Sequence, residues 1–210
     1  TPQEQTVAAL ERAIREAGFG FMFAPAHHGA TRYAVPVRRE LAVRTIFNFL
    51  GPLTNPAGAT RQLIGVSAPD MLETMAGALA QLGSVRALVV SSEDGLDELS
   101  TSAPTRVVEV NGERIDRYTV TPADCGLPQA SPDDIPGGDP AENARITRAI
   151  LAGETGPARD IAVLNAGAAI YAGGRADSIA EGVEAAQEAI DSGAAQRTLE
   201  HYVELTHTPA

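Results

Sequence analysis

"RQLIGVSAPDMLETMAGALAQLGSVRALVVSS", residues 61–92, carries the reading of the fold. "RQLIGV" (61–66) and "RALVVSS" (86–92) are short apolar runs of strand length, and Pro69 to Leu82 between them reads as a helix closed by Gly83. Two strands joined by a helix of crossover length form a β-α-β unit. Their near-continuous apolarity implies burial on both faces. The expected class is α/β, with a largely parallel sheet flanked by helices. Ligands of such sheets gather beyond the carboxyl ends of the strands.

That position is taken by "EDGLDELS" (93–100), in which Asp97 and Glu98 are adjacent. Two neighbouring carboxylates just past a strand suit a hard divalent cation such as Mg²⁺, which keeps several waters and bridges to a substrate phosphate. They equally suit a solvated helix start, where the macrodipole favours acids. Spacing alone leaves both readings open.

Outward from this unit, "TPQEQTVAALERAIREAGFG" reads as a helix with Thr1 as N-cap, Pro2 at the first position, Glu4 completing a capping box and Gly18 at its end. "FGFMF" reads as a buried strand and "AVPVRRELAV" as a helix bearing Arg38 and Arg39. "TRVVEVNGERIDRYTV" alternates apolar and polar residues around Asn111-Gly112, a hairpin signal. Residues 122–140 form a Pro/Gly-rich connector, either an ordered segment or a mobile loop. Helices follow near 141–152, 158–172, 177–192 and 196–205, with Asp139 as an N-cap and Glu142 completing its box. The whole of 1–210 is expected to be a single α/β domain.

Two further segments carry candidate chemistry. "AHHGATRYAVPVRRE" gathers His27, His28, Arg32, Arg38 and Arg39. The arginine fork grips a carboxylate or phosphate bidentately, and a histidine adds a hydrogen bond to the same anion. Surface pairing of Arg38 or Arg39 with Glu40 accounts for the same residues. "FNFLGPLTNPAG" leads apolar residues into Gly51-Pro52 and Asn55-Pro56, a turn where backbone could approach a ligand, or simply a structural turn.

Composition narrows the choices. The chain has 210 residues, 44% of them hydrophobic, which suffices for a core. A net charge of -11 speaks against nucleic acid or an anionic membrane as partner, since both need clustered cations. No apolar run has the length of a membrane span. The single cysteine, Cys125, excludes an internal disulfide framework and fits a reducing, cytoplasmic setting.

Together, "HHGATRYAVPVRRELAVRTIFNFLGPLTNPA", "ALVVSSEDGLDELS" and "GGDPAENARITRAILAGETGPARDIAVLNAGAAI" resemble the C-terminal part of the anthranilate phosphoribosyltransferase family, over almost the whole chain. The resemblance implies the large domain of the nucleoside phosphorylase and phosphoribosyltransferase type, carrying a β-hairpin insertion. It also implies transfer of the phosphoribosyl group of phosphoribosyl pyrophosphate (PRPP) to anthranilate in tryptophan biosynthesis, with Mg²⁺ required and the full-length family chain a homodimer. Asp97 and Glu98 would hold the metal on the pyrophosphate, and Arg38 would grip the anthranilate carboxylate. His28 would lie beside the ring, with Gly51, Pro52, Ala24 and Pro25 shaping the same pocket. No residue is implied as a general base.

The chain departs from the family in two ways. A proline usually follows the histidine, with a large side chain two positions beyond, and here Gly29 and Thr31 stand there. The family's N-terminal helical region and glycine-rich phosphate turn have no counterpart, so the chain is expected to be a fragment with half of the anthranilate pocket and half of the metal site. Two rival readings are a nucleoside phosphorylase-type enzyme and a non-catalytic fragment or binding module of the same fold.

Overall fold

The computed structural model describes residues 6–22, 47–55, 57–135 and 137–207. The chain divides into two compact units, Ala59–Gly193 and a second made of Thr1–Gly58 with Ala194–Ala210.

The larger unit is built on the β-α-β stretch. Strands β1 (Arg61–Gly65) and β2 (Arg86–Ser92) pair in parallel from Arg61 with Arg86 to Gly65 with Val90. They are joined by a 3₁₀ turn at Pro69–Met71 that runs into helix α3 (Leu72–Gln81), with Gly83 at φ +81° just beyond. The hairpin strands β3 (Thr105–Asn111) and β4 (Arg114–Val120) extend the same sheet antiparallel, giving the order β1-β2-β3-β4. The α/β class and the attached hairpin are thus as expected, and the described strands form a mixed sheet. The hairpin loop is Gly112-Glu113, one residue later than the Asn-Gly reading, because Asn111 still pairs with Arg114. Gly112 supplies the positive φ, +60°, that the first position of such a loop asks for.

β2 is buried from Ala87 to Ser92, as a strand covered on both faces must be. Helix α3 lies against β2 and β3, and the long helix α5 (Pro157–Ala172) lies against β1 and β2. Met75, Leu79, Leu88, Val89, Val90 and Leu164 fill the space between them, each fully buried. A buried leucine of this kind contributes about 1.5–3 kcal/mol relative to exposure. Strand β4 is one end of the described sheet. Its side chains alternate in exposure and carry Arg114, Asp116 and Arg117, charges that discourage pairing with another chain.

Two arginines at the start of the parallel strands fix the direction of α5. Arg61 Nη1 donates to Ala172 O at 3.0 Å, and Arg86 Nη1 to Tyr171 O at 3.2 Å, so cations meet the carbonyl end of the helix dipole. α5 therefore runs antiparallel to β1 and β2. Its other face meets α6 (Ile179–Asp191) with main chains in contact: a Cβ on Gly167 would lie 2.6 Å from Val183 Cγ2, and one on Gly182 would overlap the Gly167 carbonyl.

Between β4 and these helices lie two 3₁₀ turns, Pro122–Cys125 and Pro132–Asp134, capped by Thr121 and Ser131. Helix α4 (Pro140–Leu151) starts where expected, with Asp139 accepting from Ala141 N and Glu142 N, both at 2.9 Å. The expected box does not close. Glu142 turns instead to Arg145, at 2.8 and 3.0 Å, an i,i+3 ion pair on the exposed face.

In the smaller unit, α1 (Val7–Ala17) packs on α7 (Ala194–His207). Its N-cap is Thr6, whose hydroxyl accepts from Ala9 N at 3.2 Å, and Gly18 closes it at φ +71°. The cap expected at Thr1 and Pro2 lies outside the described residues. The strand expected at "FGFMF" is not formed over residues 19–22. Phe19 and Phe21 are 45% and 46% exposed, and the ring of Phe19 meets that of Tyr202 edge to face with centroids 4.9 Å apart. An apolar run after a helix can as well pack locally on another helix as enter a sheet.

Candidate functional site

Beyond the carboxyl ends of β1 and β2, residues 93–104 form a loop tied down on several sides. At its base Ser92 N donates to Leu96 O at 3.0 Å and Glu93 N to Pro104 O at 3.0 Å. Inside it, Ser100 Oγ donates to Asp94 Oδ2 at 2.6 Å and accepts from Ser102 N at 2.9 Å, while Ser100 N donates to Thr105 Oγ1 at 3.0 Å. Burial by itself would raise the Asp94 carboxyl, but the hydroxyls of Ser100 and Ser92 and the Leu96 amide outweigh it and hold the group below the usual aspartate range. Asp94 is thus spent on the loop itself.

Two contacts fix the far side of the loop. The carboxamide of Asn165, on α5, pairs with both main-chain groups of Leu99: Leu99 N donates to Oδ1 at 2.9 Å, and Nδ2 donates to Leu99 O at 2.8 Å. The same Nδ2 reaches Ile161 O at 3.0 Å, which locks the side chain on its own helix. Gly65, the last residue of β1, has no room for a side chain because the Asp97 carbonyl fills that space.

The loop therefore presents Asp97 and Glu98, both exposed, between the strand end and the fully buried Leu99. Within the described residues no hydrogen bond or ion pair engages either carboxylate. Among those residues no group of three or more His, Cys, Asp or Glu converges as a metal cage. Two exposed carboxylates, with no cage around them among the described residues, match what Mg²⁺ takes from a protein: a carboxylate or two, with waters and phosphate oxygens completing the shell. The donor set fits that ion.

The other expected site residues belong to the smaller unit or lie outside the described residues. Gly51 and Pro52 belong to the smaller unit, within the short helix α2 (Phe47–Leu53) rather than in a turn. The turn follows them: Thr54 N donates to Gly51 O at 3.2 Å, Asn55 Oδ1 accepts from Ala57 N at 2.9 Å, and Gly58 N donates to Asn55 O at 3.0 Å. A side chain on Gly51 would meet nothing within 4 Å, so the position faces open space. Ala24, Pro25, His28 and Arg38, with Gly29 and Thr31, lie outside the described residues.

A second polar cluster serves the fold. Glu109 on β3 is 5% exposed and accepts from Tyr118 Oη at 2.9 Å and Tyr171 Oη at 2.9 Å, with Arg86 Nε 3.5 Å away and the Arg86 guanidinium 4.6 Å above the Tyr171 ring. Burial first, then the charge of Glu109, pushes the Tyr118 hydroxyl far up. Tyr171 is raised as well, by burial and its hydrogen bond to Glu109. These phenols stay neutral donors, and the cluster pins the end of α5 to the sheet. An open cleft of about 310 Å³ lies alongside, between Val120, Cys125 and the start of α6.

The sequence singles out the acid pair as a candidate and gives less sign of the contacts that hold its loop. Gly65 carried a legible signal, since a glycine at the end of an apolar strand marks a close approach of main chain. Asn165, one polar residue in an alanine-rich helix 66 positions from Leu99, carried none.

A family model described as "Glycosyl transferase family, a/b domain" matches residues 3–196. The chain is 52% identical over 198 residues to an anthranilate phosphoribosyltransferase of Rubrobacter xylanophilus, covering 94% of this chain and 58% of that protein. Among solved structures, anthranilate phosphoribosyltransferase from Thermus thermophilus superposes with a TM-score of 0.92 at 46% identity, over 98% of this chain and 61% of that one. The Saccharomyces cerevisiae enzyme, at 27% identity, has been solved with 4-fluoroanthranilate (TM-score 0.88, over 98% of this chain and 59% of that one) and with PRPP and Mg (TM-score 0.87). The chain spans roughly three fifths of the length of these relatives.

Proposed function

The chain belongs to the glycosyl transferase family through its a/b domain, and from that premise we propose that it is the acceptor-and-metal portion of an anthranilate phosphoribosyltransferase. The reaction moves the phosphoribosyl group of PRPP to the amino group of anthranilate and releases pyrophosphate. The observation that carries this reading is the pinned loop with two free carboxylates at the carboxyl end of the parallel strands, in a chain about half identical to enzymes of that name.

Asp97 and Glu98 would hold Mg²⁺, which when bound offsets the charge that builds on departing pyrophosphate. Their own part is to fix where the diphosphate sits, because breaking the ribosyl C–O bond depends on orientation and leaving-group stabilisation. Arg38 would fork onto the anthranilate carboxylate and His28 would lie against the ring. Gly51, Pro52, Ala24 and Pro25 would border the same acceptor. The amine attacks as a neutral nucleophile and loses its proton afterwards, so no strong base is required. A cytoplasmic enzyme acting as a homodimer belongs to the same proposal.

Ligand protection tests the substrate assignment. Anthranilate is expected to raise the unfolding temperature of the chain in a concentration-dependent way, because a ligand bound only to the native state stabilises it. A pyrimidine nucleoside is expected to leave it unchanged. Protection by the nucleoside alone would replace this reading with a nucleoside phosphorylase.

A further inference from the structure

We infer that Asn165 and Gly65 are positioning residues for the metal-binding pair, acting as a two-point clamp on the main chain of residues 97–99. The inference rests on the reading of Asp97 and Glu98 as metal ligands and assigns their placement to residues outside the loop.

A hard cation held by only two protein carboxylates has little protein cage to correct a misplaced ligand. The chain must therefore hold those carboxylates in place before the ion arrives. Asp97 and Glu98 are exposed and make no side-chain bonds within the described residues, so nothing orients them through their own oxygens. Their main chain is held instead. On one side the Asp97 carbonyl sits directly on Cα of Gly65, a seat that any side chain would remove. On the other, Asn165 saturates both main-chain groups of Leu99 at 2.9 and 2.8 Å.

Asn165 is itself immobilised, since its Nδ2 also bonds Ile161 O at 3.0 Å and α5 is anchored at its far end by Arg61 and Arg86. The clamp thus refers the acid pair to the two elements that define the sheet end, β1 and α5. An amide suits the task uniquely: it offers one acceptor and two donors, and all three are used here. Aspartate would keep the acceptor and lose the donors, while leucine would keep the volume and lose both.

The test is Mn²⁺ binding in the presence of inorganic pyrophosphate, followed by the electron paramagnetic resonance signal of free Mn²⁺, with thermal unfolding in metal-free buffer alongside. Asn165→Leu is expected to weaken Mn²⁺ uptake about tenfold while the metal-free unfolding temperature moves by only a few degrees, and Asn165→Asp to fall between it and the parent. If Asn165→Leu proves too unstable, Asn165→Asp and amide exchange at Leu99 in the parent decide. The clamp predicts strong protection of that amide, and rapid exchange would overturn it. Parent-like Mn²⁺ binding in both Asn165 variants, with binding lost in Asp97→Ala, would overturn the clamp and leave the metal assignment standing. Equal binding by the parent and Asp97→Ala, or none by the parent, would overturn the metal assignment and this inference with it.

Discussion

The carbonyl of Asp97 occupies the space that a side chain on Gly65 would need. Gly65 ends the strand that pairs in parallel with β2, and Asp97 stands five residues beyond the end of β2. A single missing Cβ therefore lets the loop after one strand fold over the end of its neighbour. Without that approach the acid pair would stand away from the sheet.

Gly65→Ala is expected to destabilise the larger unit by about 1–3 kcal/mol, the usual cost of forcing atoms into a filled space. The clash is with main chain, so it is relieved only by moving the loop. Urea unfolding of the variant, with its slope unchanged, checks the magnitude.

Gly77, in the middle of α3, supplies the opposite case. A Cβ there meets nothing within 4 Å, and the residue is helical. Gly77→Ala should stabilise by about 0.5–1 kcal/mol through helix propensity and a less free unfolded chain. The same urea titration reads it, and a loss would mean that α3 packs differently.

At the crossing of α5 and α6, Gly167→Ala would bring a Cβ 2.6 Å from Val183 Cγ2 and 2.5 Å from Val183 N. The helices must part to admit it. The expected loss is about 2–3 kcal/mol, and it should appear as a lower thermal midpoint.

Asp94 predicts an acid dependence. Its folded pKa lies below the unfolded value of 3.8, so its contribution to stability is fully present above that pH and is lost as pH falls through the folded value. Asp94→Asn should be less stable than the parent at pH 6, and the difference should shrink below pH 3.8. A pH-independent difference would remove the hydrogen bond from the Ser100 hydroxyl to an ionised Asp94 as its source.

For the acceptor pocket, Arg38→Ala should weaken anthranilate binding far more than Arg39→Ala, because neighbouring residues on one segment cannot both face the same carboxylate with equal reach. Calorimetric titration with anthranilate compares them. Equal, negligible losses would sink the carboxylate clamp.

What the sequence made legible follows the range of the forces involved. The β-α-β unit, the hairpin and the helices after residue 140 rest on local periodicity and turn residues, and they form where expected. The acid pair stood out as a candidate because strand ends in α/β sheets are functional ground. The fate of Phe19, whose ring meets that of Tyr202, depends on packing that local patterns do not encode. The bond from Asn165 to Leu99 is longer in range still, joining residues 66 apart through the fold alone.

The loss of anthranilate fluorescence on adding PRPP and Mg²⁺, in the parent and in Asp97→Ala, decides whether the acid pair serves phosphoribosyl transfer. The chain is assayed as it stands and again with the N-terminal segment of a relative fused ahead of Thr1. At least the extended form is expected to consume anthranilate, at a rate reduced by about two orders of magnitude or more in Asp97→Ala. Consumption that persists unchanged in the variant, or none in either form of the parent, would contradict that role of the acid pair.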